Sequence, residues 1–153
     1  MKEITIDYAL RTTWQAVTRM YNEQAAKFES TMATGFALLS IDPEEGTPST
    51  ALGPRMGMEA TSLSRTLKSM EERGLIIRKP NPEDGRGVLI YLTDFGKEKR
   101  AYSKDRVLQF NEAIKNNISE EKLKHFFEVT ETINEMISNK KIYTNDLVFK
   151  KYE

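Results

Sequence analysis

Five polar side chains between residues 61 and 69 have the types and spacing needed to bind duplex DNA. They lie opposite an apolar stripe, Ala60, Leu63, Leu67 and Met70, whose spacings of three, four and three residues follow the period of an α-helix. Short hydroxyl side chains let a helix approach a groove closely, and arginine can bond a guanine edge or clamp a phosphate. The alternative interpretation is an ordinary solvated helix face. The five residues are Thr61, Ser62, Arg65, Lys68 and Ser69.

A hairpin is predicted directly after this helix. Gly74 suits the end of a helix, and the runs 75–77 and 88–92 are rich in residues that favour strands. The segment between them, residues 80–87, is rich in proline, asparagine, aspartate and glycine. These features predict two antiparallel strands joined by a tight, charged turn.

The turn of this hairpin carries a second candidate contact. Asp84 and Gly85 can supply the positive-φ position that a hairpin needs. Arg86 then lies at the tip, where a phosphate or a minor groove would be, and Asp84 can pair with it and stiffen the loop. The alternative is that these residues form a turn and nothing more.

Three ordered motifs in this stretch resemble the MarR family of bacterial transcription regulators. They read Met70-Glu-Glu-Arg-Gly-Leu-Ile-Ile-Arg78, Asp84-Gly-Arg86 and Leu92-Thr-Asp-Phe-Gly96. The family pattern has leucine at the position of Met70, and a second arginine is frequent at the position of Gly85. The flanking helices and the chain length also suit the family, so the resemblance covers nearly the whole chain.

The resemblance implies a mainly α fold with a small β-hairpin. Residues 47–92 would form a winged helix-turn-helix lobe, and residues 1–46 and 93–153 a helical dimerisation arm. It also implies double-stranded DNA as partner, a homodimer on a pseudo-palindromic operator, and a small, often aromatic, ligand that modulates DNA binding. Thr61, Ser62 and Arg65 would face bases, Lys68 would contact phosphate, and Ser69 would lie on the same DNA-binding face. Arg86 would enter the minor groove, held by Asp84.

Helical periods and turn residues predict the remaining elements. Long helices are expected over residues 4–28 and 94–116, and shorter ones over residues 31–39 and 50–56. A further helix over residues 119–139 carries a coiled-coil-like seam, which we interpret as a dimer interface; packing on the chain's own first helix is the alternative. The seam consists of Leu123, Phe126, Thr130, Ile133 and Ile137.

Composition excludes several classes of site. The chain has no cysteine and one histidine, His125, so thiolate chemistry is excluded and no metal site or cofactor is expected. Neither a phosphate loop nor a nucleophile with a histidine base is present, which argues against an enzyme. No apolar run approaches the ~20 residues that span a bilayer, and no signal peptide precedes the first helix, so we expect a cytoplasmic protein with no membrane partner.

The charge distribution gives weak support for a DNA partner. Net charge is zero, but residues 47–100 hold ten Lys and Arg against seven Asp and Glu. The neutral total and Glu59, expected in the first turn of the recognition helix, support a rival interpretation, a winged-helix module that binds protein instead of DNA.

Overall fold

The computed structural model describes residues 3–144 and confirms the predicted fold class, mainly α with a small antiparallel sheet. The predicted helices are all present, within a few residues of their expected ends. In chain order the elements are α1 (Ile6–Ala26), α2 (Met32–Ser40), β1 (Thr47–Pro48), α3 (Ser49–Met56), α4 (Ala60–Glu72), β2 (Ile76–Asn81), β3 (Asp84–Leu92), α5 (Asp94–Asn117) and α6 (Glu120–Ser138).

Hydroxyl side chains cap the first turns of the long helices. The Thr5 hydroxyl accepts the N–H of Tyr8 at 3.4 Å. Ser119 accepts the N–H of Lys122 at 3.3 Å in the same way. Each cap satisfies one of the backbone donors that a helix leaves unpaired at its N-terminus, which explains where these helices begin.

The chain divides into two compact units, residues 1–107 and residues 108–153. The first unit holds the buried core, to which α2, α3, α4 and the sheet all contribute. In α2 the buried residues are Thr34, Ala37 and Leu38, and Met32, Phe36 and Leu39 are half-buried. The apolar members of the core are Ala37, Leu38, Ile41, Leu52, Leu63, Leu67, Met70, Leu75, Ile76, Ile90 and Leu92.

The sheet has three strands rather than the two of the predicted hairpin. Strand order is β1-β3-β2, with both pairings antiparallel. The strand β1 is not among the predicted elements, and it pairs Thr47 with Ile90. Pro48 has no N–H to donate, and it is tolerated because β1 is an edge strand.

The hairpin turn lies two residues earlier than predicted. Asn81 pairs with Asp84, so Pro82 and Glu83 form the turn and Gly85 belongs to β3. Among residues 3–144, the glycines with positive φ are Gly57 and Gly74. The prediction that Asp84-Gly85 supplies a positive-φ turn was therefore wrong.

The short helix α3 ends after eight residues. Pro54 lies inside the helix and has no N–H to donate to the preceding turn. Gly57 follows with φ of 63°, a left-handed conformation that ends the helix and turns the chain toward α4.

Two helices expose their apolar faces. In the first unit, α1 has no buried residue, and Trp14 is 55% exposed. In the second unit, α6 has no buried residue either, and Phe126 and Ile137 of its seam are 54% and 60% exposed. The apolar segment 142–149 lies mostly outside the described residues.

Candidate nucleic-acid interface

The helix α4 presents all five predicted contact residues on one exposed face. At 3.6 residues per turn, positions 61, 62, 65, 68 and 69 span about 120° of the helix circumference. Leu63, Leu67 and Met70 are buried on the opposite face. Burial of this apolar stripe fixes the orientation of α4, so that Thr61, Ser62, Arg65, Lys68 and Ser69 all face solvent.

The charge on this exposed face is mixed. Arg65 and Lys68 take part in no ion pair within the described residues, so both cations remain available to an anionic partner. Glu72 lies on the same face one turn after Lys68, at the C-terminal end. The N-terminal half of α4 is therefore the part suited to a polyanion.

The helix α4 ends in a Schellman motif. Gly74 has φ of 74°, its N–H donates to the Glu71 carbonyl at 3.0 Å, and the Leu75 N–H donates to the Met70 carbonyl at 2.9 Å. Gly74 thus confirms the predicted helix stop, two residues after Glu72, the last residue of α4. The reversal sends Leu75 and Ile76 straight into the core.

Two side-chain-to-backbone hydrogen bonds shape the tip of the wing. Asn81 Oδ1 accepts the N–H of Glu83 at 3.0 Å, and Asp84 Oδ1 accepts the N–H of Arg86 at 3.1 Å. Asp84 therefore holds the backbone of Arg86, whereas the sequence suggested a pairing with its side chain. The Arg86 guanidinium remains exposed and forms no ion pair with a described carboxylate.

Arg86 lies in a bulge of the hairpin. Pro80 pairs with Val88 and Asn81 with Asp84, so residues 85–87 have no partners on β2. A Cβ atom on Gly87 would lie 3.1 Å from Asp84 Oδ2 and 3.3 Å from the Asn81 Cβ. Glycine at position 87 thus permits the close approach of the Asp84 side chain, and the bulge moves Arg86 away from regular strand pairing.

An ion pair joins α4 to the base of the wing. Arg78 Nε lies 3.3 Å from Glu71 Oε2, and both side chains are partly exposed. On the same strand, Lys79 Nζ lies 5.1 Å from the centroid of the Tyr91 ring. Sequence reasoning missed both contacts. The first depends on how the chain turns from α4 into β2, and the second depends on the register of β2 with β3.

The first unit also contains a cleft that sequence reasoning missed. Its volume is about 70 Å³, and α1, α2 and α5 contribute most of its lining, together with two residues that follow α4. Tyr21 packs edge-on against Phe36 at 5.7 Å between ring centroids, and Phe28 lies 4.2 Å from Tyr102. Burial raises the pKa of the Tyr21 phenol above its ordinary value of 10.0.

Three cations line this cleft: Arg73, Lys99 and Arg106. Lys99 Nζ lies 5.7 Å from the Phe28 ring centroid and 5.3 Å from that of Phe95, within range of cation–π attraction. None of the described lining residues is Asp or Glu. Within residues 3–144 no cluster of potential ligands could hold a metal ion, and no helix is long and apolar enough to cross a membrane.

The sequence matches a known family and known relatives. Residues 31–88 match the model of the MarR family. The organic hydroperoxide resistance transcriptional regulator of Bacillus subtilis is 33% identical over 89 residues, which cover 58% of this chain and 60% of that protein. The chain spans between 54% and 60% of the length of the curated relatives it matches.

Two solved structures show the same fold. The PcaV transcriptional regulator from Streptomyces coelicolor, in complex with its natural ligand, has a TM-score of 0.75 at 21% identity and covers 88% of this chain and 98% of that one. The MepR–DNA complex of S. aureus has a TM-score of 0.75 at 19% identity, and the match covers 90% of this chain and 98% of that one.

These matches agree with the three motifs around α4 and the wing. The matched family and the named relatives are transcriptional regulators and not enzymes, as the sequence predicts for this chain. Over residues 31–88 the chain is similar to the MarR family, and it shares the fold of the PcaV and MepR regulators.

Proposed function

We propose that this protein is a homodimeric transcriptional regulator that binds a pseudo-palindromic DNA operator. The observation that carries the proposal is the exposed polar face of α4, with two cations free of ion pairs and three hydroxyl side chains. A helix with such a face fits the major groove, whose base edges it can reach. The DNA-bound structural neighbour supports the proposal, since it shares the fold.

The residues on this face take different roles in the proposed complex. Thr61, Ser62 and Arg65 lie toward the N-terminal half of α4, where recognition helices contact base edges. Lys68 and Ser69 lie one turn later and would bind phosphate. Arg86 of the wing would enter the minor groove beside it, positioned by the bond from its N–H to Asp84.

The proposed dimer uses the apolar faces that the single chain leaves exposed. In the first unit α1 exposes Leu10 and Trp14, and in the second unit α6 exposes Phe126 and Ile137. Apolar surface of this extent is uncommon on a monomer and usually marks an interface. We assign residues 1–46 and 93–153 to a dimerisation arm and residues 47–92 to the DNA-reading lobe, with half-sites about one helical turn apart.

We also propose that a small molecule modulates DNA binding through the cleft of the first unit. Its lining of aromatic and aliphatic side chains with a few polar groups is typical of ligand sites. The ligand-bound structural neighbour supports a ligand in this fold. A thiol-based peroxide response is not proposed, because the chain has no cysteine. The cytoplasm, where the DNA is, is the proposed location.

A protein-binding winged helix is the second candidate. Glu72 on the exposed face of α4 and the zero net charge favour it, since both would weaken attraction to phosphate. The two proposals differ in what the wild-type protein retains from a pool of random duplexes.

Selection of bound duplexes from a random pool tests the proposal directly. A DNA regulator enriches a palindromic sequence, and a variant with both Arg65→Ala and Lys68→Ala loses that enrichment. The matched control, Lys104→Ala with Lys115→Ala, removes two exposed cations of α5. This control variant retains the enrichment. Absence of any enriched sequence with the wild-type protein contradicts the DNA-binding proposal and favours the protein-binding module.

A further inference from the structure

The wing contains the one Asp-Gly pair of the chain, Asp84-Gly85, and the chain has no Asn-Gly pair. In such a pair the backbone nitrogen of the glycine can attack the aspartate carboxyl group, because glycine has no Cβ atom to hinder the approach and its backbone rotates freely. Asp84, Gly85 and Arg86 are all exposed, so solvent reaches this peptide bond. The pair lies directly before the arginine that we assign to the minor groove.

The backbone of Gly85 is not held by the sheet. Asn81 pairs with Asp84, and residues 85–87 then form a bulge that has no partners on β2. A Cβ atom built on Gly85 would meet no atom within 4 Å. The peptide unit between Asp84 and Gly85 therefore has space to rotate, which regular strand pairing would prevent.

A hydrogen bond holds the Asp84 carboxyl group beside the nitrogen with which it reacts. Asp84 Oδ1 accepts the Arg86 N–H at 3.1 Å, and the ring that this bond closes contains the Gly85 nitrogen. The N–H donor also polarises the carboxyl group, which favours attack at its carbon, Cγ. The bond that positions Arg86 therefore also favours a reaction at Asp84.

The other aspartates of residues 3–144 lack these features. Asp42 precedes Pro43, whose nitrogen carries no hydrogen. Asp7, Asp94 and Asp105 lie in helices, which fix the backbone, and each precedes a residue with a large side chain. These three helical aspartates serve as internal controls for the reaction at Asp84.

We infer that Asp84-Gly85 is a site of isoaspartate formation, and that this modification lowers the affinity of the wing for DNA. The Gly85 nitrogen bonds to Cγ of Asp84, and one carboxyl oxygen leaves as water with the amide proton and one proton from solvent. Water then opens the five-membered imide at the former backbone carbonyl and releases one proton. The chain now runs through Cβ and Cγ of residue 84, and its mass is unchanged.

The modification removes the hydrogen bond that orders the wing. Cγ and its oxygen enter the new peptide bond, and the backbone gains one methylene group, so Oδ1 no longer accepts the Arg86 N–H in the same geometry. This effect on affinity rests on the proposed function, since Arg86 acts there as a contact to DNA. Loss of one hydrogen bond corresponds to about fivefold weaker binding by the isoaspartyl form.

The experiment follows the purified full chain during incubation at neutral pH, below its melting transition. Peptide mass spectrometry with electron-transfer fragmentation locates isoaspartate, and fluorescence anisotropy measures affinity for the duplex recovered from the random pool. Gly85→Ala is the matched variant, because it keeps Asp84 and Arg86 and its Cβ has space. Circular dichroism compares its fold with that of the wild type.

The expected result links modification to affinity. In the wild type, isoaspartate accumulates at Asp84 and at none of the helical aspartates, and affinity falls as the modified fraction grows. Fresh Gly85→Ala binds the duplex like fresh wild type, and on incubation it loses most of the accumulation and most of the fall.

A repair reaction tests the same link without a substitution. An L-isoaspartyl methyltransferase with S-adenosylmethionine esterifies the free α-carboxylate of residue 84. The imide then re-forms with loss of methanol, and its hydrolysis returns part of the protein to aspartate. We expect the affinity of incubated wild type to recover after this treatment.

Several results would overturn the inference, and a different one would overturn the proposed function. The inference is wrong if no isoaspartate appears at Asp84, if Gly85→Ala accumulates as much as the wild type, or if incubated and fresh wild type bind the duplex equally. If Gly85→Ala does not fold, an affinity that the methyltransferase fails to restore overturns it. Recovery of no duplex contradicts the proposed function and the effect on DNA, and the mass spectra still decide the modification itself.

Discussion

The Thr93 hydroxyl donates a hydrogen bond to the Gly74 carbonyl oxygen at 2.6 Å and accepts one from the Gly96 N–H at 3.0 Å. The Thr93 N–H in addition donates to the Leu75 carbonyl at 3.1 Å. One residue therefore caps α5 and also ties it to the segment that ends α4. This link explains the physical role of threonine in the Leu92-Thr93 motif.

Replacing Thr93 tests this link. Thr93→Val keeps the size of the side chain but removes both hydroxyl bonds, and we expect the free energy of unfolding to fall by about 1–3 kcal/mol. Thr93→Ser retains the hydroxyl and should stay close to wild type. Urea denaturation followed by circular dichroism measures both, at a single protein concentration because a dimer's stability depends on it. Equal stability of the two variants would contradict the role of the hydroxyl.

Gly96 is required by close packing rather than by backbone conformation. A Cβ atom there would collide with the Leu75 carbonyl, the acceptor of the Thr93 N–H. Gly96→Ala should therefore cost about 1–3 kcal/mol of unfolding free energy, since backbone atoms must shift. Gly85→Ala is the control, because a Cβ at Gly85 meets nothing within 4 Å and its φ is not positive. A thermal melt in which both variants match wild type would argue against this tight approach.

Arg65 should read sequence, whereas Lys68 should hold phosphate. Arg65→Ala is expected to cost about 1–3 kcal/mol at the selected operator and to relax discrimination against random DNA. Lys68→Ala should weaken binding to the operator and to random DNA by the same factor. Competition titrations with the two duplexes measure this difference. If Arg65→Ala discriminates as well as wild type, Arg65 does not contact bases.

The wing should contribute charge through Arg86 and order through Asp84. Arg86→Ala should flatten the slope of log K against log salt by about 0.9 per subunit, since one phosphate contact is lost on each wing. Asp84→Ala removes the acceptor of the Arg86 N–H, so it should weaken affinity while the slope stays near wild type. A salt series on one duplex checks both variants. An unchanged affinity and slope in Arg86→Ala would mean that the wing is a plain hairpin.

The exposed faces of the long helices should hold two copies together. We expect sedimentation equilibrium to give a dimer at low micromolar concentration, because α6 leaves Phe126 and Ile137 more than half exposed in the single chain. Phe126→Glu should dissociate the dimer by burying an unpaired charge. Thr132→Glu introduces the same charge at an exposed polar position of α6 and should remain dimeric. A wild-type mass that stays monomeric on concentration would refute the arm and the palindromic operator together.

The sequence by itself determined the features that depend on neighbouring residues. The apolar stripe of α4, the hydroxyl cap at Ser119 and the glycine stop at Gly74 are each complete within a few residues, so period and side-chain type predict them. The same local signals predicted the wing and the single exposed face that carries Thr61, Arg65 and Lys68. The family motifs span this same short stretch.

Only the tertiary structure decided the features that depend on register and distant partners. The turn lies at Pro82-Glu83 instead of the predicted Asp84-Gly85, because the pairing of β2 with β3 places Asn81 opposite Asp84. Thr47 pairs with β3 because that strand has a free edge. The residues around Thr47 do not by themselves indicate this pairing. The cleft unites Tyr21, Arg73 and Lys99 from three distant parts of the chain. Loop closure brings such residues together. The periodicity of a single helix does not predict which distant residues will be in contact.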